Sequence, residues 1–515
     1  MRAATTGEAF DKIGSTFSLG GFGEILQPLI RETLEDHNKS KYRKGTILVG
    51  NILMWVVLSL TIRRDLAYGH VFNWIVSGFR WLKKLLPAKN NLLSDGTISK
   101  ARVKLGYSIF SSLFDKLRNK HLLDLTADFY RWITVAFDGT TATVPDTESN
   151  RDFFKKPNGG KAAFPQVRIM TLLILKLHLI LDIDYAPYSG KKTGERTLMM
   201  KILGRIFGVV TSPMLFLMDA GLYSFNALYT ITQAGHDIIS KASSNMKLIP
   251  IKYLDDGSYL AIVTGKIEDL TLPPRKDGRR RLKTIQITLR VITVHINGFR
   301  PVRLITTILD KNITAREIAQ QYHLRWDIEI AYDEIKTHQC ATLTGQSPTT
   351  FRSKRADLVQ QEIYATLIMY NVVRLIIWES AKLYQKEAMR ISFLDSLQHL
   401  IDMAPTAAAL QTREREERWS YLLELMADSQ IDRPRRERAA PRVVKVNRSK
   451  YRTKKADDKS QIRHFLQEMT IVFHPNFKLD EPDSTQALAK QKESLPLLFI
   501  KPDLFYKNKI SLIIN

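Results

Sequence analysis

From Trp132 onward the apolar residues stop recurring at helical spacing and run together, and any fold for this chain has to accommodate that change of period. WITVAF, ending in Asp138 and Gly139, reads as a short buried strand with a turn at its C-terminal end. Two apolar, β-branched runs follow, Val167 to Leu175 and Leu177 to Asp184; then come a helical stretch from Glu195 to Ile206 and the strand MLFLM, ending in Asp219. The predicted order is β, β, β, α, β. After a helical Tyr223 to Gln233, the segments KLIPIKYL, SYLAIVTG and TIQITLRVITVHI, with a turn at Asn297 and Gly298 into VRLITTIL, alternate as antiparallel strands do. Thr314 then opens a helix with Glu317 three residues on, the spacing of a capping box, and the helical pattern runs to about His338.

Upstream of Trp132 the pattern is helical: Gly23 to His37, Lys44 to Ile62, Tyr68 to Leu86 and Lys100 to Leu117. Lys41, Arg43, Lys44, Arg63, Arg64, Lys83 and Lys84 lie at the ends of these stretches. A helical DNA-binding module would present them to phosphates there, and a solvated rim on a bundle accounts for them equally well. Gly45 to Ile62 is eighteen residues without a charge, just long enough to span a bilayer. Its polar Thr46, Asn51, Ser59 and Thr61, the basic residues on both flanks and the lack of a companion segment make it a core helix instead. MRAATTGEAF lacks the order of a signal peptide, so the cytosol is the expected compartment.

Charge narrows the partner. The 515 residues carry 77 Lys plus Arg against 52 Asp plus Glu, a formal +25, which favours a polyanion such as nucleic acid. Arg433 to Lys455 holds eleven basic residues and one acid, Glu437, and cannot form a core on its own. The one cysteine, Cys340, excludes a disulfide framework and a four-cysteine zinc module. Five segments follow from pattern and charge: 1–125 helical; 126–235 strands and helices; 236–300 mainly β; 301–430 a strand and then helices; 431–515 a basic tail with an unassigned extension.

Asp138 and Asp219 each end an apolar strand, where α/β sheets place their ligands. Two such carboxylates suit a hard cation like Mg²⁺, although an Asp after a strand also serves as an ordinary turn residue. On an α-helical wheel with Tyr322 at zero, Arg325 falls at about 300°, Glu329 at about 340° and Lys336 at about 320°. These four share one arc, while Leu324, Ile328, Ala331 and Ile335 occupy about 180° to 240° and form the packing face. A carboxylate flanked by Tyr, Arg and Lys suits metal-bound phosphate chemistry; a salt-bridged solvated face is the plainer alternative. Asp333, at about 20°, is a rival for Glu329, and Trp326, at about 40°, borders the face, where packing or stacking on a displaced base are both open.

The pattern Tyr322, Arg325, Glu329, Lys336 resembles the YREK signature of IS4-family insertion-sequence transposases. FDGTTATVPDTESN around Asp138 and LMDAGLYS around Asp219 are similar to the family's two aspartate motifs. The helical KYRKGTILVGNILMWVVLSLTIRRDLAYGHVF with the later SKARVKLGYSIFSSLF resembles its N-terminal domain, and Pro441 to Lys445 its basic C-terminal stretch. The resemblance covers about residues 20 to 455.

It implies an α/β fold with an RNase H-like (retroviral-integrase-like) catalytic core, a mainly β insertion and an all-helical N-terminal domain. Asp138, Asp219 and Glu329 would be the DDE triad holding two Mg²⁺ ions, with Mn²⁺ able to substitute, for hydrolysis and strand transfer at transposon ends. The 109 residues from Ala220 to Ile328 leave room for the insertion, whose loop from Arg275 to Lys283, with Arg279, Arg280 and Arg281, is a candidate DNA contact along with Tyr322, Arg325, Lys336 and Trp326. The family further implies double-stranded DNA as partner, a homodimer in the DNA complex, no membrane, and a bacterial cytoplasmic protein that is nucleoid-associated when bound. Where family members usually carry Arg after the strand that follows the second aspartate helix, this chain has Ser240 and then Lys241, and the tail after about residue 456 has no counterpart in the pattern. Two other readings compete: an inactive, transposase-derived DNA-binding repressor, and a nuclease of the same fold that cuts without joining strands.

Overall fold

The computed structural model describes residues 19–477 apart from 44–45, 84–92, 122, 124–125, 158–162, 270, 276, 297–299, 341–348, 408–409, 411, 432–442, 445–451 and 460–464. Most of the basic window 433–455, the Pro441–Lys445 motif apart from Val443 and Val444, Lys44, Lys84, the Asn297–Gly298 turn and everything after 477 lie outside the described residues. The chain forms two units: a first up to Met199 and again from Leu324 to His464, and a second from Met200 to His323 and again from Phe465 onward.

The first unit opens with α1 (Gly20–Asp36), α2 (Gly50–Ser59), α3 (Tyr68–Lys83), α4 (Asp95–Leu105) and α5 (Ser108–His121). A sequence that is apolar all round has no face for water, and α2 is accordingly buried from Asn51 to Ser59 among α1, α3, α4 and the long α11 (Ala356–Leu383). Two of its polar side chains are paired: Trp55 Nε1 donates to Gln27 Oε1 at 2.9 Å, and Gln27 Nε2 to Asn51 Oδ1 at 3.3 Å. Among the described residues no helix is long and apolar enough to cross a membrane. The predicted helix Lys100 to Leu117 is two helices, because Gly106 turns the chain at φ +84, a conformation open to glycine. Arg63 pairs with Asp65, and Arg64 donates to the carbonyls of Thr349 and Thr350, so these two cations are committed within the protein.

Three antiparallel strands follow in the order β3-β2-β1: β1 (Ile133–Thr143), β2 (Gln166–Ile174) and β3 (Leu179–Pro187), with the short α6 (Glu148–Phe154) between the first two. The unit also holds α10 (Asp327–Asp333), α12 (Phe393–Ala407) and α13 (Thr412–Asp428). The helix α7 (Glu195–Ile206) carries the chain from the first unit into the second.

The second unit has a mixed sheet in the order β4-β5-β9-β8-β7-β6. Here β4 (Met214–Met218) and β5 (Asp237–Lys241) are parallel across α8 (Phe225–Gln233), while β6 (Lys252–Tyr253), β7 (Tyr259–Glu268), β8 (Leu282–Ile296) and β9 (Val302–Thr306) pair antiparallel. KLIPIKYL contributes only Lys252 and Tyr253 to a strand. The stretch beyond residue 456, which matches no family motif, is in part integrated: Met469–Ile471 pairs with β8, and Tyr253 shares a hydrogen bond with His474 at 3.0 Å.

The capping box at α9 (Ala315–His323) forms: Glu317 Oε2 accepts from Thr314 N at 2.8 Å and Thr314 Oγ1 from Glu317 N at 3.2 Å. Asp256 adds to it by accepting from Ala315 N at 2.6 Å while paired with the fully buried Arg290. Arg290 also donates to Ser258 Oγ and to the carbonyls of Asp310 and Ile313 at 2.7–2.9 Å. Burial alone would raise the Asp256 carboxyl, but Ser258, the Ala315 amide and Arg290 outweigh it and hold it below its usual value. Removing one partner of a buried ion pair strands the other, so Arg290→Ala is expected to cost roughly 3–5 kcal/mol. Urea unfolding measures this, and a loss under about 1 kcal/mol would show that the network does not anchor α9.

Candidate active site

The first half of β1, Ile133 to Phe137, is wholly buried, and exposure begins at Asp138. The strand does not end there. It runs on through Gly139-Thr-Thr-Ala to Thr143, with Asp138 opposite Thr171 and Thr140 opposite Ile169 on β2. Asp138 is therefore mid-strand, at the step where the sheet leaves the apolar interior.

Burial pushes the Asp138 carboxyl up to about 6; the Gly139 amide, donating to Oδ1 at 2.9 Å, and Arg325 oppose the rise, while Glu329 and Glu195 add to it. Glu195 lies hard against the backbone here: a Cβ on Gly139 would sit 2.8 Å from its carboxylate. That approach explains why glycine follows the aspartate. Tyr332 ties the same point from behind, its hydroxyl 2.7 Å from the Asp138 carbonyl and 2.7 Å from Thr171 Oγ1. Burial and then the charge of Asp138 push its phenol well above the ordinary range.

The helix that was expected to run unbroken from Thr314 to His338 is four pieces. After α9 come a 3₁₀ turn, Leu324–Trp326, then α10, then a π-helical turn, Glu334–Gln339. A single 100° wheel does not hold across these changes, although Ile328, Ala331 and Ile335 are buried as expected. Arg325, 7% exposed, places its guanidinium 4.8 Å from the Trp326 ring centre, and its Nε is buried with no hydrogen-bond partner among the described residues. Trp326 is 44% exposed, which rules out the packed reading. Glu329 is exposed, as is its rival Asp333, which accepts from Thr337 Oγ1 at 2.6 Å. Lys336 donates to Thr140 Oγ1 and, at 3.0 Å, to the Thr141 carbonyl. Burial lowers its ammonium below the usual lysine value, against the pull of Cys340 and Asp138.

Asp138, Arg325, Glu329 and Lys336 thus belong to the first unit, with Glu195 and Tyr332 as neighbours that sequence reading missed. Asp219 and Tyr322 belong to the second. Asp219 directly follows β4, and the Tyr322 hydroxyl donates to the carbonyl of Met218, the preceding residue, at 3.3 Å. Arg279 and Arg281 are exposed and Arg280 half-buried at the tip of the β7–β8 hairpin, where Gly278 turns at φ +76. Ser240 is buried in β5 and unavailable to a phosphate; Lys241 beside it is exposed.

Among the described residues no three His, Cys, Asp or Glu side chains are grouped so as to hold a metal ion. The donor chemistry at Asp138 nevertheless fits one: a half-buried carboxyl raised by burial, with Glu329 and Glu195 adding to the rise, is short of positive charge, and a hard divalent cation would supply it. In the metal-free protein the native state binds a proton at Asp138 that the unfolded chain releases near its ordinary value. The raised group therefore lowers stability progressively between about pH 4 and 6, with the full penalty present above that. Asp138→Asn removes the penalty and is expected to stabilise the metal-free protein by on the order of 2–3 kcal/mol at pH 8, with little effect at pH 4. Denaturation of both proteins in chelator across this range tests it; an equal difference at both ends would show that the carboxyl is not strained.

Residues 133–372 match the family model of the transposase DDE domain, a span that begins at β1 and contains Asp138, Asp219, Glu329 and Lys336. The transposase InsG of insertion sequence element IS4 from Escherichia coli (strain K12) is 26% identical over 474 residues, covering 88% of this chain and 99% of that protein. The putative transposase InsZ of the same organism is 27% identical over 192 residues, covering 34% of this chain and 61% of that one. A cryo-EM structure of a piggyBac transposase synaptic complex with hairpin DNA gives a TM-score of 0.40 at 11% identity, covering 81% of this chain and 85% of that one. The domain match, which encloses all three acids, and the likeness to InsG, which runs nearly end to end, support an IS4-family DDE transposase.

Proposed function

We propose that the protein cuts an insertion sequence out at its terminal inverted repeats and joins the freed 3′-OH ends to target DNA, with Asp138, Asp219 and Glu329 as the acidic triad of an RNase H-like core. The observation that carries this reading is the Asp138 carboxyl, raised to about 6 beside Glu329 and Arg325 within the segment that matches the DDE domain. A raised carboxylate with a neighbouring acid and cation in one cluster is the electrostatic pattern of a functional centre.

The triad would hold Mg²⁺, two ions in the family's usual scheme and replaceable by Mn²⁺, which when bound acidifies water and stabilises an oxygen leaving phosphorus. The chain's own residues set the rest. Arg325, buried and with an unused Nε–H, favours the charged form of Asp138 and offers a donor to a phosphate oxygen. Lys336 places a point charge at the outer half of β1, and Tyr322 fixes the carbonyl just before Asp219. The exposed Trp326 ring, backed by the Arg325 guanidinium, presents a face on which an unpaired base can stack. The hairpin arginines Arg279, Arg280 and Arg281 and the helices before residue 125 would grip the duplex, while base readout and the homodimer in the DNA complex follow the family's pattern. With a net +25 the protein would sit on the bacterial nucleoid.

The test is cleavage of a labelled duplex carrying the element's own ends in Mg²⁺ by wild type and by Asp138→Ala, Asp219→Asn and Glu329→Gln. Each variant is expected to lose about a thousandfold or more in rate while still binding DNA. Asp333→Asn is expected to change little. Cleavage that survives all three triad substitutions removes these carboxylates from the mechanism, and binding without cleavage by the unmodified protein leaves a repressor.

A further inference from the structure

We propose that Glu334, Tyr370 and Arg374 are positioning residues for Lys336: together they lock the π-helical turn whose register aims the lysine at the end of β1. The inference rests on the reading of Lys336 as a phosphate-contacting residue.

Glu334 and Lys336 are two residues apart, so on any helical turn they point to opposite sides. Glu334 is held on one side by α11. Arg374 Nε donates to its Oε2 at 3.1 Å and Nη2 pairs with its Oε1, while the Tyr370 hydroxyl donates to Oε2 at 2.8 Å. His178, at the β2–β3 turn, places Nδ1 3.8 Å from Glu334 Oε2 and Nε2 3.8 Å from Asp327 Oδ2. Lys336 emerges on the other side and reaches Thr140 and Thr141. The turn is fixed at its far end as well, where Gln339 Nε2 donates to the Thr366 carbonyl at 2.9 Å. Thr366, Tyr370 and Arg374 recur every four residues, so one stripe of α11 carries all three anchors.

The backbone between the anchors is π-helical, with the Cys340 amide bonded to the carbonyl of Ile335, five residues back. Such turns are rare and concentrate at functional sites. A buried ion pair is likewise a poor choice for stability alone, since apolar residues of the same volume serve as well, and its best-attested use is to fix a register. Tyr370 and Arg374 are almost fully buried, and Phe393 packs against both with ring and guanidinium 5.3 Å away. Burial would raise the Glu334 carboxyl, but Arg374 and His178 hold it down at about 2. Two uncommon features meet at one turn, and what they jointly fix is the direction of residue 336. Relaxation to an α-helical register would rotate Lys336 relative to Glu329 and draw it from Thr140 and Thr141.

Two measurements test this on the full-length protein, with Glu334→Gln, Tyr370→Phe and Arg374→Lys. The first needs neither DNA nor metal: acetylation of the Lys336 amine by an N-hydroxysuccinimide ester, followed by mass spectrometry. The variants are expected to label Lys336 several-fold faster than wild type, as Thr140→Val should. The second is cleavage of the duplex carrying the element's ends, where each variant is expected to lose between about ten- and a hundredfold at saturating DNA. In a Lys336→Ala background the same substitutions should cost nothing further, whereas a merely structural role would multiply the two losses. Unchanged labelling, or multiplied losses, overturns the proposal. If Glu334→Gln does not fold, Tyr370→Phe, which keeps the ion pair and the ring, decides alone. Should Lys336→Ala cleave like wild type, the reading of the lysine fails, and the labelling rates still report whether the turn positions it.

Discussion

A carboxylate at the step where a strand leaves the apolar interior is the constraint around which the candidate centre is arranged. Asp138 follows five buried residues of β1 without a turn between, so its charge is partly stripped of water, and burial leads the causes that raise it to about 6. Each neighbour answers that situation. The Gly139 amide and Arg325 favour the ionised form, and the missing side chain at 139 admits Glu195, which disfavours it. Tyr332 secures the backbone by its carbonyl, leaving the carboxyl itself to other partners. A centre balanced between two cationic or amide donors and two further acids is poised for an added divalent charge in a way that a neutralised ion pair is not.

The same constraint explains why the segment after α9 is not one helix. Arg325 and Asp327 are both buried, two residues apart, and Glu334 must reach Arg374 while Lys336 reaches β1. A uniform α-helix offers one buried stripe and cannot send this many polar groups inward in different directions. The 3₁₀ turn tightens the chain at Arg325, the α-helical α10 buries Ile328 and Ala331, and the π turn widens it at Lys336. The changes of helix type sit next to the residues whose direction matters most.

That is also where sequence periodicity stopped being informative. Elements set by a strong local pattern were legible: the Glu195–Ile206 helix and the MLFLM strand coincide with the runs that announced them, and β2, β3 and β8 lie within a few residues of theirs. So did the Thr314–Glu317 cap, whose chemistry is contained in four residues. Gly139-Thr-Thr-Ala-Thr reads as loop because its strand character comes from pairing with β2, a partner about thirty residues away. Glu334 carries no local signal, because its partners His178, Tyr370 and Arg374 are far along the chain and no spacing rule reaches them. For Trp326 packing and base stacking were both open on the wheel, and only the fold shows its ring exposed with a guanidinium beside it.

The YREK residues also divide between the units, with Tyr322 in the second and Arg325, Glu329 and Lys336 in the first, and the division falls between His323 and Leu324. Each side secures its own acid locally. Met218, just before Asp219, is held by Tyr322, and the Asp138 carbonyl is held by Tyr332. In both cases a tyrosine hydroxyl grips a backbone carbonyl and leaves the neighbouring carboxylate to interact elsewhere. Fixing the main chain instead of the acid is what a cation site requires, because a carboxylate already committed to a strong donor must lose that bond before it can bind a metal ion.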